Sequence, residues 1–250
     1  MIWLQVLAMK LFGVNETAIG LPSALAAFLT LSLLMVFSVK YLKDYWFGFI
    51  SVLLLVVFQG YIGIHASRTG DYDALLSFFT TAFCLVFFLY LETNKSKFIY
   101  LFFLFLTLAV LTKSIAGFLF LPALFLYSLY QLKIIKIIKD RHFYFGFAAF
   151  IVLITTYFFP RESVNPGYLE AVWKNELGGR YLSTIEEHNE SFWFYFDRMI
   201  EYKLSGFHLL VPVGILIGIL SKNRLKARLS IFVSLSTLVY FIVISQSETK

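Results

Sequence analysis

The chain has 250 residues, 60% of them hydrophobic and 14% charged, and a mean hydropathy of +0.80. That balance excludes a soluble domain, whose core could not hide so much apolar surface, and it excludes a disordered chain; it points to a polytopic membrane protein. The formal charge of +6 calls for no nucleic-acid partner, because the basic residues fall in short loops where a membrane surface accounts for them.

From the amino terminus, Ile2-Trp3-Leu4-Gln5-Val6-Leu7 makes an amphipathic start with no signal-peptide pattern. Eight apolar runs follow, at residues 18–39, 45–65, 73–91, 98–112, 115–132, 143–159, 204–220 and 229–245. With about 1.5 Å of rise per residue, most can cross a hydrocarbon layer of roughly 30 Å. Helix is the form expected, since a lipid-exposed backbone must satisfy its own hydrogen bonds and these runs lack the alternation of barrel strands. The fold class is therefore all-α: one transmembrane helical bundle over residues 1–250, with a longer external loop at 160–203 containing an amphipathic helix. The fourth and fifth runs can be two crossings or one broken re-entrant unit. Cys84, alone and inside an apolar run, forms no internal disulfide.

The connections alternate in character. Lys40 and Lys43, then Lys95 and Lys97, then Lys133, Lys136, Lys139 and Arg141, then Lys222, Arg224, Lys226 and Arg228 share one parity, which the positive-inside rule makes cytoplasmic. The other parity carries Asp71, Asp73 and the acidic loop 160–203, and is external. It also places residues 1–17 outside with nothing to carry them there, and the chain stops at Ser247-Glu248-Thr249-Lys250 just after a span. A fragment of a longer protein is the expectation.

Chemistry concentrates at the external boundary. In Arg68-Thr-Gly-Asp-Tyr-Asp73-Ala-Leu-Leu, two carboxylates and a guanidinium stand where an apolar helix enters the membrane, and charge there is costly unless used. Two residues apart, Asp71 and Asp73 can face one cavity only if Gly70 holds Asp71 in a turn, which makes Asp73 the helix N-cap. A plain capping role for Asp73, and an ion pair or interfacial anchor for Arg68, stay open beside the catalytic reading.

Lys113 follows a run of only 15 residues, 98–112, which reaches about 22 Å and leaves the ammonium near phosphate depth. Ser114-Ile115-Ala116-Gly117 is a weak helix former, so the backbone is expected to break there and expose amides to a lipid phosphate. A snorkelling lysine at a helix end is the plainer alternative.

In the external loop, an amphipathic helix from Gly167 to Leu177 lies on the membrane surface, followed by Gly178-Gly179-Arg180. Arg180, His188 and the run Phe192-Trp193-Phe194-Tyr195-Phe196 pair cationic donors with flat apolar surfaces, as a phosphorylated sugar requires. An interfacial aromatic belt explains the aromatics equally well. His188 suits a general base or an ordinary surface residue, and nothing local decides.

Leu11-Phe-Gly-Val-Asn-Glu16, Leu21-Pro-Ser-Ala-Leu-Ala-Ala27, the segment from Arg68 to Phe79, and Leu108-Ala-Val-Leu-Thr-Lys113 running to Pro122 together resemble one family. They look like the lipid-phosphate-sugar glycosyltransferases of the GT-C class, family 39 or 83 type. These are the bacterial aminoarabinose transferases of lipid A and, more distantly, the protein O-mannosyltransferases that use dolichyl-phosphate-mannose.

The resemblance implies a transferase of the bacterial inner membrane, acting on the cell envelope. It would move a hexosyl or pentosyl group from a polyprenyl-phosphate donor to a lipid or protein acceptor on the external side. It places Asp73 at the family's acidic position, with Asp71 second as a catalytic candidate, and Lys113 on the carrier phosphate. Arg180 and His188 match external-loop positions near the donor, and Lys250 looks like the lysine opening a later external motif. Arg68 and Tyr195 complete the candidate substrate-binding set. No cofactor is certain; assisting the base, orienting the acceptor and holding a divalent metal ion are all open roles for Asp73.

One departure matters. Family members carry an earlier helix and a first external loop whose acidic residue is the usual general base, and Met1-Ile2-Trp3-Leu4 matches only the end of that stretch. Residues 1–250 alone are therefore expected to lack transferase activity. A transporter or flippase for polyprenyl-linked saccharides is the alternative, as is a non-catalytic subunit that binds them. A transporter, however, places polar groups near the bilayer midplane, often within inverted repeats, and the middles of these spans hold almost none.

Overall fold

The structure, a computed structural model, describes residues 1–63, 69–174, 191–203 and 207–247, and all its regular elements there are helical. The bundle is all-α, as its composition requires. Helix α1 spans Ile2–Phe12 and α2 spans Glu16–Phe37, continuing through a π-helical turn to Leu42. Helix α3 is Tyr45–Val57, α4 Gln59–Ile62, α5 Asp73–Thr93 and α6 Ser96–Lys113. After a 3-10 segment, Ser114–Phe118, come α7 Leu121–Tyr130, α8 Ile134–Lys139, α9 Arg141–Val164 and α10 Tyr168–Val172. Beyond residue 190 lie α11 Phe194–Arg198, α12 Leu210–Ile219 and α13 Arg224–Ser245.

Short polar side chains set the starts. Asn15, Asp44, Asp140 and Asn223 each accept a hydrogen bond from a first-turn amide of α2, α3, α9 and α13, satisfying donors that the helix leaves free. Asn94 ends α5 at φ 56°, a left-handed value that asparagine tolerates, and reverses the chain into α6 within two residues.

Among the described residues five helices are long and apolar enough to cross a membrane: Glu16–Leu42, Asp73–Thr93, Ser96–Phe118, Arg141–Val164 and Arg224–Ser245. The runs expected at 45–65, 115–132 and 204–220 instead hold shorter apolar helices, Tyr45–Val57, Leu121–Tyr130 and Phe207–Ile219. The first is cut by extended backbone at Phe58, ψ 123°, and the second starts late because Ser114–Phe118 is 3-10. The external amphipathic helix, expected from Gly167 to Leu177, shows as α10 with a π-helical turn at 173–174; residues from 175 lie outside the described set.

Helix α5 is apolar on every side, and it is the most enclosed of the five, as such a helix should be. Phe88 packs between Tyr127 of α7 and Phe232 of α13, at ring separations of 6.2 and 5.3 Å, while Phe87 meets Phe102 of α6 at 5.0 Å. Edge and tilted ring contacts thus fasten three neighbours onto α5, with offset geometries that aromatic quadrupoles favour.

The bundle has two chemically different ends. At one, Lys226 donates to Asp44 at 2.6 Å, Arg228 to Glu92 at 2.7 Å, and Tyr90 Oη to Asp140 at 2.5 Å, with Lys133 Nζ 3.8 Å from Glu92. The loops with excess lysine and arginine therefore gather at a single rim. Lys113 meets Asp73 at the start of α5 and Lys133 lies near Glu92 at its end, so the stretch between them runs back along the length of α5.

Candidate active site

At the rim away from the basic loops, α5 begins where α6 ends. The two helices run antiparallel from the Asn94 reversal, which returns Lys113 to the level of Asp73. Lys113 Nζ donates to Asp73 Oδ1 at 2.7 Å; the lysine side chain is 31% exposed and the aspartate 41%. An ion pair this open contributes roughly 0–1 kcal/mol to stability. The pair is thus better described as an accessible charge site than as a brace.

Asp73 is not the N-cap expected from the sequence. Tyr72 occupies that position and makes no side-chain cap, while Asp73 is the first residue inside α5, with its carboxylate turned to Lys113. The charge of Lys113 outcompetes neutral amides for it.

The break after Lys113 is as expected. Ser114 takes φ 34° and ψ −114°, ending α6, and the 3-10 segment folds back on it. Gly117 permits this, since a Cβ there would lie 2.7 Å from the backbone N of Val110 and 2.9 Å from the carbonyl carbon of Ala109. Only glycine allows so close an approach of two backbones.

The segment ahead of α5 is pinned to α1 and α2. Gln5 Nε2 donates to the Gly70 carbonyl at 2.7 Å, and Ser23 Oγ donates to the Asp71 carbonyl at 3.0 Å. Gly70 leaves room for these contacts, since an added Cβ would stand 2.8 Å from both Gln5 Nε2 and Ile19 Cγ2 and displace the glutamine that holds the turn. The Asp71 carboxylate accepts from Thr69 Oγ1 at 2.8 Å, within its own turn, while Lys113 goes to Asp73.

Tyr195, on α11, is half-buried, and burial raises its phenol above the usual value, so it remains a neutral donor. Tyr240 of α13 lies within electrostatic reach of both Tyr195 and Asp73, and its ring stacks on Phe120 at 4.8 Å. Nothing in the sequence pointed to Tyr240, a single phenol inside a greasy run; only the stacking of α13 on Phe120, at the start of α7, brings it here. Arg161, near the end of α9, was likewise absorbed into the start of a loop. It lines a cavity of about 470 Å³ together with Tyr72 and Thr112, the residues just before Asp73 and Lys113.

Arg68, Arg180, His188 and Lys250 lie outside the described residues. Among the described residues no group of three or more His, Cys, Asp or Glu side chains gathers. Asp73 has a lysine as partner, which is the wrong company for a divalent cation.

A bundle of long apolar helices that brings an acid, a lysine and phenols together at one rim defines an integral, multi-pass membrane protein with a polar cluster at one end. Residues 1–158 match the family model described as dolichyl-phosphate-mannose-protein mannosyltransferase, and the chain belongs to that family.

Among solved structures, the fold is similar to ArnT from Cupriavidus metallidurans bound to undecaprenyl phosphate, with a TM-score of 0.82 and 18% identity over 99% of this chain and 45% of that one. Its apo form gives a TM-score of 0.69 at the same identity, over 99% of this chain and 44% of that one. The chain spans less than half the length of these structures. At 18% identity the likeness is one of fold, and it bears out the GT-C resemblance. No curated protein matches the chain.

Proposed function

We propose that the chain forms part of a glycosyltransferase that takes a sugar from a polyprenyl-phosphate donor and passes it to a lipid or protein acceptor. The site lies on the external face of a bacterial inner membrane, opposite the lysine-rich rim. The observation that carries this reading is the Asp73–Lys113 pair, held open to solvent at the broken end of α6. Family membership supports the activity class, and the undecaprenyl phosphate held by the structural neighbour supports the donor class.

In this reading the donor phosphate displaces Asp73 from Lys113. Transfer is an inverting displacement: the acceptor's oxygen or nitrogen attacks the anomeric carbon, the bond from that carbon to the phosphate oxygen breaks, and the phosphate leaves as an anion. Lys113 stabilises the charge that grows on the leaving group. Released from Lys113, Asp73 orients the acceptor, and the acceptor's proton goes to a carboxylate. Tyr195, kept neutral by burial, offers a hydrogen bond on the same rim.

The test is binding of undecaprenyl phosphate to the purified chain in nanodiscs, measured by native mass spectrometry. Lys113→Gln is expected to weaken it about tenfold, the effect of losing one charge-assisted contact. Unchanged binding would remove Lys113 from the donor site.

A further inference from the structure

Toward the lysine-rich rim, away from the Asp73–Lys113 pair, a separate cavity of about 290 Å³ lies between α6, α7 and α9, with α8 across its mouth. Every lining side chain is Phe, Leu or Ile except Ser128, whose hydroxyl donates to the Leu124 carbonyl of its own helix at 2.8 Å. No lining side chain therefore offers a free polar atom, and a sugar or nucleotide inside would lose its hydrogen bonds to water without replacement.

Shape narrows the occupant further. The cavity is a slot running from Ser128 to Leu121 along α7 and from Phe143 to Phe150 along α9, seven steps on each helix, or about 10 Å at about 1.5 Å per residue. Phe118 and Phe150 close its deep end, edge to face with ring centres 6.2 Å apart. Phe125 and Ile138 are 54% and 55% exposed, so the slot opens sideways toward hydrocarbon. A helix, roughly 10 Å across with its side chains, is too wide to enter. An extended peptide would set unpaired N–H and C=O groups against apolar walls. A single acyl chain meets neither obstacle.

The mouth carries charge that the protein leaves unmatched. Helix α8 turns Ile134, Ile137 and Ile138 into the slot, and at about 100° per residue Lys136 and Lys139 fall on its other side. Both lysines are exposed, as is Arg141 just beyond them. Among the described residues none of these three has a carboxylate within ion-pair reach, whereas Lys113, Lys133, Lys226 and Arg228 each have one. Asp140, the acid of this segment, accepts instead from Tyr90 Oη and the His142 amide.

We propose that the slot and these three cations form a binding site for an anionic phospholipid of the leaflet at the lysine-rich rim. One acyl chain lies between α7 and α9, and the phosphate lies against Lys136, Lys139 and Arg141. The site is separate from the Asp73–Lys113 pair and does not depend on what that pair does. A lipid that binds here binds only the folded chain, and so stabilises it.

The experiment is native mass spectrometry of the purified chain in detergent, titrated separately with dioleoyl phosphatidylglycerol and dioleoyl phosphatidylcholine. Wild type is expected to bind the anionic lipid about tenfold more tightly, and the triple variant Lys136→Gln, Lys139→Gln, Arg141→Gln to bring the two within about twofold. The double variant Lys222→Gln, Arg224→Gln removes charge from another basic loop and should leave the preference within about twofold of wild type. Ile138→Trp keeps every charge but obstructs the mouth, and should weaken phosphatidylglycerol about fivefold. Phe125→Trp, on the α7 side of the opening, makes the same test if the first variant fails to fold.

Equal affinity of wild type for the two lipids would overturn the proposal. So would a preference that survives the triple variant, or one lost equally in the Lys222, Arg224 pair, because that marks diffuse attraction to a basic rim. Phosphatidylglycerol binding unchanged by either tryptophan variant would place the acyl chain elsewhere and overturn it too.

Discussion

Lys113 and Asp73, forty positions apart, meet at 2.7 Å because α5 and α6 turn back on each other at Asn94. The lysine that should meet a lipid phosphate already holds an anion, so ligand and carboxylate compete for one ammonium. Asp73→Asn is therefore expected to tighten undecaprenyl phosphate binding by up to about fivefold, the upper end of the roughly 0.2–1 kcal/mol of open ion pairs. It should at the same time slow sugar transfer about 100-fold in membranes expressing the native gene. Parallel measurement of lipid binding and labelled-sugar transfer checks both signs, and weaker binding in the variant would contradict the competition.

Gly117→Ala is expected to destabilise the protein by about 1–3 kcal/mol, as overpacking does, because the new methyl group meets main chain of α6 that cannot swing aside. Ser114→Gly should act in the opposite direction by about 1 kcal/mol, relieving a side chain held at φ 34°. Thermal unfolding in detergent resolves the two, and Gly117→Ala should also loosen Lys113.

At the other rim, Glu92 is the most enclosed of the paired carboxylates, with 8% of its side chain exposed, and it faces Arg228 and Lys133. Glu92→Gln keeps the shape but leaves two cations without their counter-ion. A loss of about 1.5–3 kcal/mol is expected, typical of a hydrogen bond to a charged group. A melting temperature equal to wild type would show that α5, α7 and α13 are held by their aromatic contacts alone.

Acid should loosen that same rim. The hydrogen bond from Lys226, followed by the one from the Phe47 amide, holds the Asp44 carboxyl below its ordinary value. For Asp140, burial pushes upward, but hydrogen bonds from Tyr90 Oη and the His142 amide outweigh it, and the net shift is downward. A depressed carboxylate contributes stability that is present above its unfolded value, about 3.9, and is lost as pH falls through the lower folded one. Melting temperatures taken from neutral pH downward should fall below about pH 4, and the double variant Asp44→Asn, Asp140→Asn should flatten that acid limb. Equal slopes in variant and wild type would deny both groups a part.

Much of this was legible in the sequence because it depended on local chemistry. The helical class followed from uniformly apolar runs, the end of α6 from Ser114-Ile-Ala-Gly117, and the clustering of basic loops from their parity. Asp73 and Lys113 were each legible as candidates, but their pairing was not. It depends on the phase of two helices of 21 and 18 residues measured from their shared turn. The N-cap expected at Asp73 failed for that reason, since a distant ammonium changed what the carboxylate does. Arg161 and Tyr240 gave no signal because their meaning comes from distant neighbours, Tyr168 of α10 for the first and Phe120 at the start of α7 for the second. Where the apolar helices run short, hydropathy overstated them: it registers greasy side chains and is blind to backbone breaks such as Phe58.

The Asn94 reversal has a further consequence. It works as a ruler's zero mark at the far end of the bundle, and the positions of Asp73 and Lys113 are both measured from it. One residue inserted within α6 would swing Lys113 through about 100° and separate the charges, whereas a residue inserted in the turn would only lengthen the link. A turn at one end of the bundle thus sets the alignment of a charge pair at the other.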